Sequence, residues 1–126
     1  MTQTILIVED DAELHEIYLA MLETVECRII QAYDGLEALE KLADTIPDLI
    51  LLDIVLDEMM GDEFLVEIRQ KSEYADIPVV IVSALPIERC QHLLDRDAKS
   101  VFLRKPFRRG QLLEAVQEGL ACGQPA

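Results

Sequence analysis

The sequence predicts an α/β protein built on a doubly wound parallel sheet, and three observations carry that expectation. Short apolar runs such as Ile5-Leu6-Ile7-Val8, Leu49-Ile50-Leu51-Leu52 and Val79-Val80-Ile81-Val82 are continuous rather than alternating. Strands buried on both faces of a parallel sheet read that way. Each run is followed by apolar residues at helical spacing, and the alternation of strand and helix recurs five times along the chain. Right-handed crossovers then place helices on both faces of one sheet.

The elements follow in order. Ile5–Val8 forms the first strand and stops abruptly at Glu9-Asp10-Asp11. Leu14, Ile17, Tyr18, Met21 and Leu22 give the first helix one apolar face, with Asp11 placed to cap it and Glu13 in its first turn. Arg28-Ile29-Ile30-Gln31-Ala32 is half polar and belongs at the sheet edge, and Asp34-Gly35 is turn chemistry. Leu36, Leu39 and Leu42 mark a helix that ends before Pro47. The strand 48–53 is the centre of the pattern, and a loop through Gly61 follows it. Phe64, Leu65 and Ile68 mark the third helix; Ile77–Val82 is the fourth strand, its proline near the start where a missing N–H does least harm. Ile87, Cys90 and Leu94 form a thin fourth helical stripe. Ser100–Leu103 is the last strand, and Leu112, Leu113, Val116 and Leu120 the last helix. One domain over 1–121 with a loose tail over 122–126, carrying Gly123 and Pro125, accounts for the whole chain.

Bulk properties narrow the function. A chain of 126 residues with 51% apolar content supports one ordinary hydrophobic core. Its 25 acidic residues against 11 basic ones argue against a duplex nucleic-acid binder, which needs a basic face. Cys27, Cys90 and Cys122 lie far apart, with no CxxC pair, so neither a zinc site nor a disulfide framework is expected. No basic leader or long apolar span is visible, and a cytoplasmic protein without membrane contact is expected. No G-x-G-x-x-G or P-loop follows the first strand, which removes a nucleotide-binding reading.

Strands one, three, four and five end in Glu9-Asp10, Asp53, Ser83 and Lys105. In a parallel sheet those ends share one edge, where ligands bind. Clustered carboxylates repel by about 4 kcal/mol per close pair at an effective dielectric near 20, so a cation belongs with them. Few oxygen ligands with room for water suit Mg²⁺. A magnesium ion, a lysine and a hydroxyl around a carboxylate make a phosphoryl-handling site, and an aspartate can itself accept the group.

These residues also carry a resemblance. Ile5-Leu6-Ile7-Val8-Glu9-Asp10-Asp11, Leu51-Leu52-Asp53, Val82-Ser83-Ala84 and Lys105-Pro106-Phe107 resemble the receiver domain of two-component response regulators, over about Ile5 to Leu120. The resemblance implies a flavodoxin-like (βα)5 sheet of order 2-1-3-4-5. It implies Asp53 as phosphoacceptor, and Glu9, Asp10, Asp53 and the Val55 main-chain carbonyl around Mg²⁺, with Asp10 the direct ligand of the acidic pair. Ser83 is the implied switch hydroxyl, Phe102 the aromatic switch residue and Lys105 the phosphate-pairing lysine, followed by a cis bond to Pro106. The implied donor is a phosphohistidine on a sensor histidine kinase or a phosphotransfer protein. The response is a repacked face of helix four, strand five and helix five that meets a downstream protein, with the protein a monomer or weak homodimer. Arg104, Arg108 and Arg109 form a basic patch expected on that partner surface.

Two departures stand out. Asp57 and Met60 occupy places where receivers carry other residues, and Asp97-Ala98 stands nearest to a Gly-Ala pair expected before the last strand. Val55 and Leu85 occupy the two positions that tune hydrolysis in the family; both are apolar, so a long-lived aspartyl phosphate is expected. Two other functions compete with this one. An aspartyl-phosphate hydrolase of the haloacid dehalogenase type wants a second Asp where Val55 stands. A phosphorylation-independent binding module would keep the fold without labelling at Asp53.

Overall fold

The structure, a computed structural model, describes residues 2–54, 60–85, 91 and 99–122. Five parallel strands form one sheet in the order β2-β1-β3-β4-β5. They are β1 (Gln3–Val8), β2 (Cys27–Ala32), β3 (Leu49–Asp53), β4 (Val79–Ser83) and β5 (Ser100–Arg104). Four helices are described: α1 (Ala12–Met21), α2 (Gly35–Asp44), α3 (Met60–Arg69) and α4 (Arg109–Cys122). The expected fold class and strand order are both present. The helix expected around Ile87, Cys90 and Leu94 lies outside the described residues, as does the tail beyond 122.

Strand alternation divides the core into two layers. Leu6, Val8, Ile50, Leu52, Val79 and Ile81 face one way and pack with Ala38 and Leu42 of α2 and Phe64, Leu65 and Ile68 of α3. Ile5, Ile7, Leu49, Leu51, Val80 and Val82 face the other way and pack with Tyr18 of α1 and Leu112, Ala115 and Val116 of α4. Both faces being covered, β3 and β4 are buried along their whole length. That is why their sequences run apolar without alternation. β2, the half-polar edge, is only partly buried.

Local chemistry sets the boundaries. Asp11 caps α1 by accepting from the Glu13 N–H at 2.9 Å. Asp34 is the cap of α2 and Gly35 its first helical residue, so the Asp34-Gly35 pair starts a helix rather than forming a separate turn. α3 begins at Met60, so Gly61 lies inside it and the loop expected through Gly61 is shorter. Ile77 and Pro78 precede β4, and the Pro78 carbonyl accepts from the Ile50 N–H at 3.0 Å. After α3, the Arg69 guanidinium donates to the carbonyls of Tyr74, Ala75 and Ile77 and so shapes the entry to β4.

Two apolar stripes sit differently from their sequence reading. Leu36 is 75% exposed, because the face of α2 that meets the sheet is made by Ala38 and Leu42. Ile17 is 45% exposed, and His15 is buried with Tyr18 and Leu22 instead. Cys27 is only partly buried; it packs at the edge of the α1 layer, and burial raises its thiol pKa.

Candidate functional site

The carboxyl ends of the strands bring four of the predicted side chains together. Asp53 is the last residue of β3 and is buried, although it is a carboxylate. The Ile54 N–H donates to the Val82 carbonyl at 2.9 Å, which continues the β3–β4 pairing past Asp53 and holds it against Val82 and Ser83. Ser83 closes β4 with no exposed surface, and its hydroxyl oxygen accepts from the Leu85 N–H at 3.1 Å. The Ser83 carbonyl accepts from the Lys105 N–H at 2.8 Å, and this main-chain bond fixes where the lysine leaves β5. The Lys105 ammonium donates to Asp53 Oδ2 and lies 3.6 Å from Glu9 Oε1, so one cation bridges both carboxylates.

The segment carrying Lys105 is pinned by aromatic packing. The Lys105-Pro106 bond is cis, as the resemblance implies. Phe107 stacks on Tyr18 of α1 with ring centroids 5.7 Å apart and planes at 14°. Tyr18 is buried, and its hydroxyl has no hydrogen-bond partner. Burial first, then the Asp53 and Glu9 charges, push the phenol well above its ordinary pKa.

Glu9 is held tightly for a residue just past a strand. Its N–H donates to the Ala32 carbonyl at 3.0 Å, and its Oε2 accepts from the Asp11 N–H at 3.1 Å. Its other oxygen, Oε1, is buried without a hydrogen bond. Burial pushes the Glu9 carboxyl up to about 9, reinforced by contact with the Asp53 and Asp10 side chains and by the Asp53 charge. The Asp11 N–H opposes that rise, and the Lys105 ammonium at 3.6 Å does not offset it. Asp10 is exposed at the mouth of the site.

These residues fit a hard divalent cation. Glu9, Asp10 and Asp53 offer only oxygen, and one buried oxygen of Glu9 has no donor to satisfy it. Among the described residues no three His, Cys, Asp or Glu side chains are grouped as a metal cage. Val55, whose carbonyl the resemblance adds to the set, lies outside the described residues. Phe102 is half-buried, lies in register with Ile81 and packs on the α2–α3 layer.

The three arginines of the basic patch, Arg104, Arg108 and Arg109, are all exposed; Arg109 also donates to the Met21 carbonyl at 3.1 Å and to the Thr24 hydroxyl, so it ties α4 to the end of α1. Sequence reasoning missed His15. It is almost fully buried, and its Nε2 lies 2.7 Å from the Glu9 carbonyl oxygen. The signal was there in the spacing of His15, Tyr18 and Leu22, which is as helical as the stripe through Leu14, Ile17 and Met21.

Residues 5–117 match the family described as the response regulator receiver domain. The chain belongs to that family. This receiver is 28% identical over 120 residues to the polar-differentiation response regulator DivK of Brucella ovis, which covers 95% of the chain and 98% of DivK. It is 33% identical over 112 residues to the sensor histidine kinase TmoS of Ectopseudomonas mendocina, covering 89% of the chain but only 11% of the kinase. The solved receiver domain protein (CheY-like) of Methanospirillum hungatei superposes with a TM-score of 0.83 at 26% identity, covering 98% of this chain and 97% of that one. Receiver domains serve two-component signalling, take their phosphoryl groups from histidine kinases and as a family bind Mg²⁺ at the acidic pocket. No described helix is long and apolar enough to cross a membrane.

Proposed function

We propose that this receiver accepts a phosphoryl group on Asp53 from a phosphohistidine of a sensor kinase or phosphotransfer protein. The observation that carries the reading is the Lys105 ammonium bridging Asp53 and Glu9 beside the buried Ser83. A carboxylate oxygen of Asp53 attacks phosphorus; the P–O bond forms as the P–N bond breaks, and the imidazole leaves with the electron pair. Glu9, Asp10, Asp53 and the Val55 carbonyl would hold Mg²⁺, which would supply positive charge against the phosphoryl oxygens. Lys105 stays paired with the charge that develops, and the Ser83 hydroxyl, freed from the Leu85 N–H, donates to a phosphoryl oxygen.

The donor has a place to rest. Leu14, Ile17, Met21, Ala84, Pro106 and Phe107 line an open, mostly apolar groove of about 500 Å³ that reaches Lys105. A helix carrying the phosphohistidine fits against it, with its histidine reaching over the site. Movement of Ser83 toward the phosphate, followed by Phe102, then repacks the face around β5 and α4, with Arg104, Arg108 and Arg109 on the surface offered to a downstream protein. The phosphate contacts favour one arrangement over the other, as any such switch requires.

Incubation with acetyl phosphate and Mg²⁺, read by intact mass, tests the reading. One added phosphoryl group on the wild type and none on Asp53→Asn is the expected result. An unlabelled wild type would leave a binding module that acts without phosphorylation.

A further inference from the structure

We infer that His15 is a positioning residue for the metal-binding turn, acting through the main chain of Glu9; the inference rests on the function proposed above. A carbonyl oxygen can only accept, so the Nε2 atom 2.7 Å from it carries the proton and donates. The main chain on either side of the Glu9 Cα is thereby fixed. Its N–H is held by the Ala32 carbonyl of β2, and its C=O by a side chain one turn into α1. The carbonyl so held belongs to the peptide that joins Glu9 to Asp10. Its orientation sets the direction in which Asp10, itself exposed, leaves the strand.

The His15 ring is locked in turn. It is almost fully buried, and it packs against the Tyr33 ring with centroids 4.4 Å apart and planes at 40°. The His15 N–H donates to the Asp11 carbonyl at 3.2 Å, so the same residue closes the first turn of the helix that Asp11 caps. A leucine here would fill the space and satisfy the helix, yet leave the Glu9 carbonyl without its donor. Groups that orient metal ligands from behind commonly change metal affinity about 10- to 100-fold when removed.

Mg²⁺ titration of the full chain tests this, followed by calorimetry and by the tyrosine fluorescence of a protein that has no tryptophan. His15→Leu is expected to weaken Mg²⁺ binding about tenfold. Labelling by acetyl phosphate at saturating Mg²⁺ is expected to proceed at the wild-type rate, because Asp53, Ser83 and Lys105 are untouched. His15→Gln, whose amide nitrogen reaches as far as Nε2, is expected to restore most of the affinity; His15→Asn, one bond shorter, is not. Wild-type Mg²⁺ affinity in His15→Leu would overturn the inference alone. Should the leucine variant fail to fold, equal affinities in the Gln and Asn variants would overturn it. A wild type that neither binds Mg²⁺ nor labels would remove the proposed function and this inference with it.

Discussion

Burial makes the Glu9 carboxyl costly to ionise. Burial pushes its carboxyl from 4.5 up to about 9, with the Asp53 and Asp10 side chains adding to the rise. A carboxyl with a higher pKa in the folded chain than in the unfolded one binds its proton more tightly when folded. The stability it contributes is therefore complete below about pH 4.5 and is lost as pH rises through about 9. Urea denaturation of metal-free protein is expected to show stability falling across that window. Glu9→Gln, which keeps the shape and cannot ionise, is expected to flatten the fall. A Gln variant with the wild-type slope would remove Glu9 as the cause. Added Mg²⁺ is expected to stabilise the wild type more at about pH 8 than at about pH 6, because the cation favours the ionised form.

At the scale of an element, α2 and α4 show how local chemistry and packing divide the work. Asp34 accepts from the Glu37 N–H at 2.8 Å, while the Glu37 carboxylate accepts from the Tyr33 N–H at 2.6 Å. This reciprocal pair satisfies two amides at the start of α2, and Asp34→Ala is expected to cost about 1 kcal/mol in urea denaturation. In α4 two glycines sit in unlike surroundings. A Cβ at Gly110 meets nothing within 4 Å, whereas one at Gly119 would lie 2.6 Å from Leu49 Cδ1 in the fully buried core. Gly110→Ala is expected to stabilise by up to about 1 kcal/mol through helix propensity. Gly119→Ala must also displace Leu49, so it is expected to fall about 1–2 kcal/mol below Gly110→Ala. Equal stabilities of the two variants would refute that packing argument.

For the whole molecule, the two faces of the sheet have different duties. The α2–α3 layer holds Phe102, and the α1–α4 layer holds Tyr18, Phe107 and the segment that aims Lys105. At the strand ends, the two positions that the family resemblance ties to hydrolysis are held by Leu85, whose N–H is bound to Ser83 Oγ, and by Val55, which lies outside the described residues; both are apolar. Neither side chain can orient an attacking water, so the aspartyl phosphate is expected to be long-lived. Decay followed by intact mass is expected to quicken about tenfold or more in a Val55→Asn, Leu85→Glu variant, which supplies polar groups at both places. Unchanged decay would show that water access is set elsewhere.

The sequence alone determined the alternation of strand and helix, and with it the parallel sheet. Strands buried on both faces must be apolar throughout, and crossovers have one hand. It also determined that Glu9, Asp53, Ser83 and Lys105 share an edge, because strand direction puts every carboxyl end on the same side. Tertiary structure decided what period alone could not. Gly119 has no side chain for a pattern to read, yet it marks where α4 passes too close to Leu49 for a Cβ. Leu36 reads as core and lies exposed, since the sheet meets α2 through Ala38 and Leu42. His15 reads as a polar residue beside an apolar stripe, and becomes a donor to the Glu9 carbonyl only once α1 is folded back on β1. A bond of that kind joins a side chain to a main-chain atom, and no pattern of residue types records where a carbonyl will point.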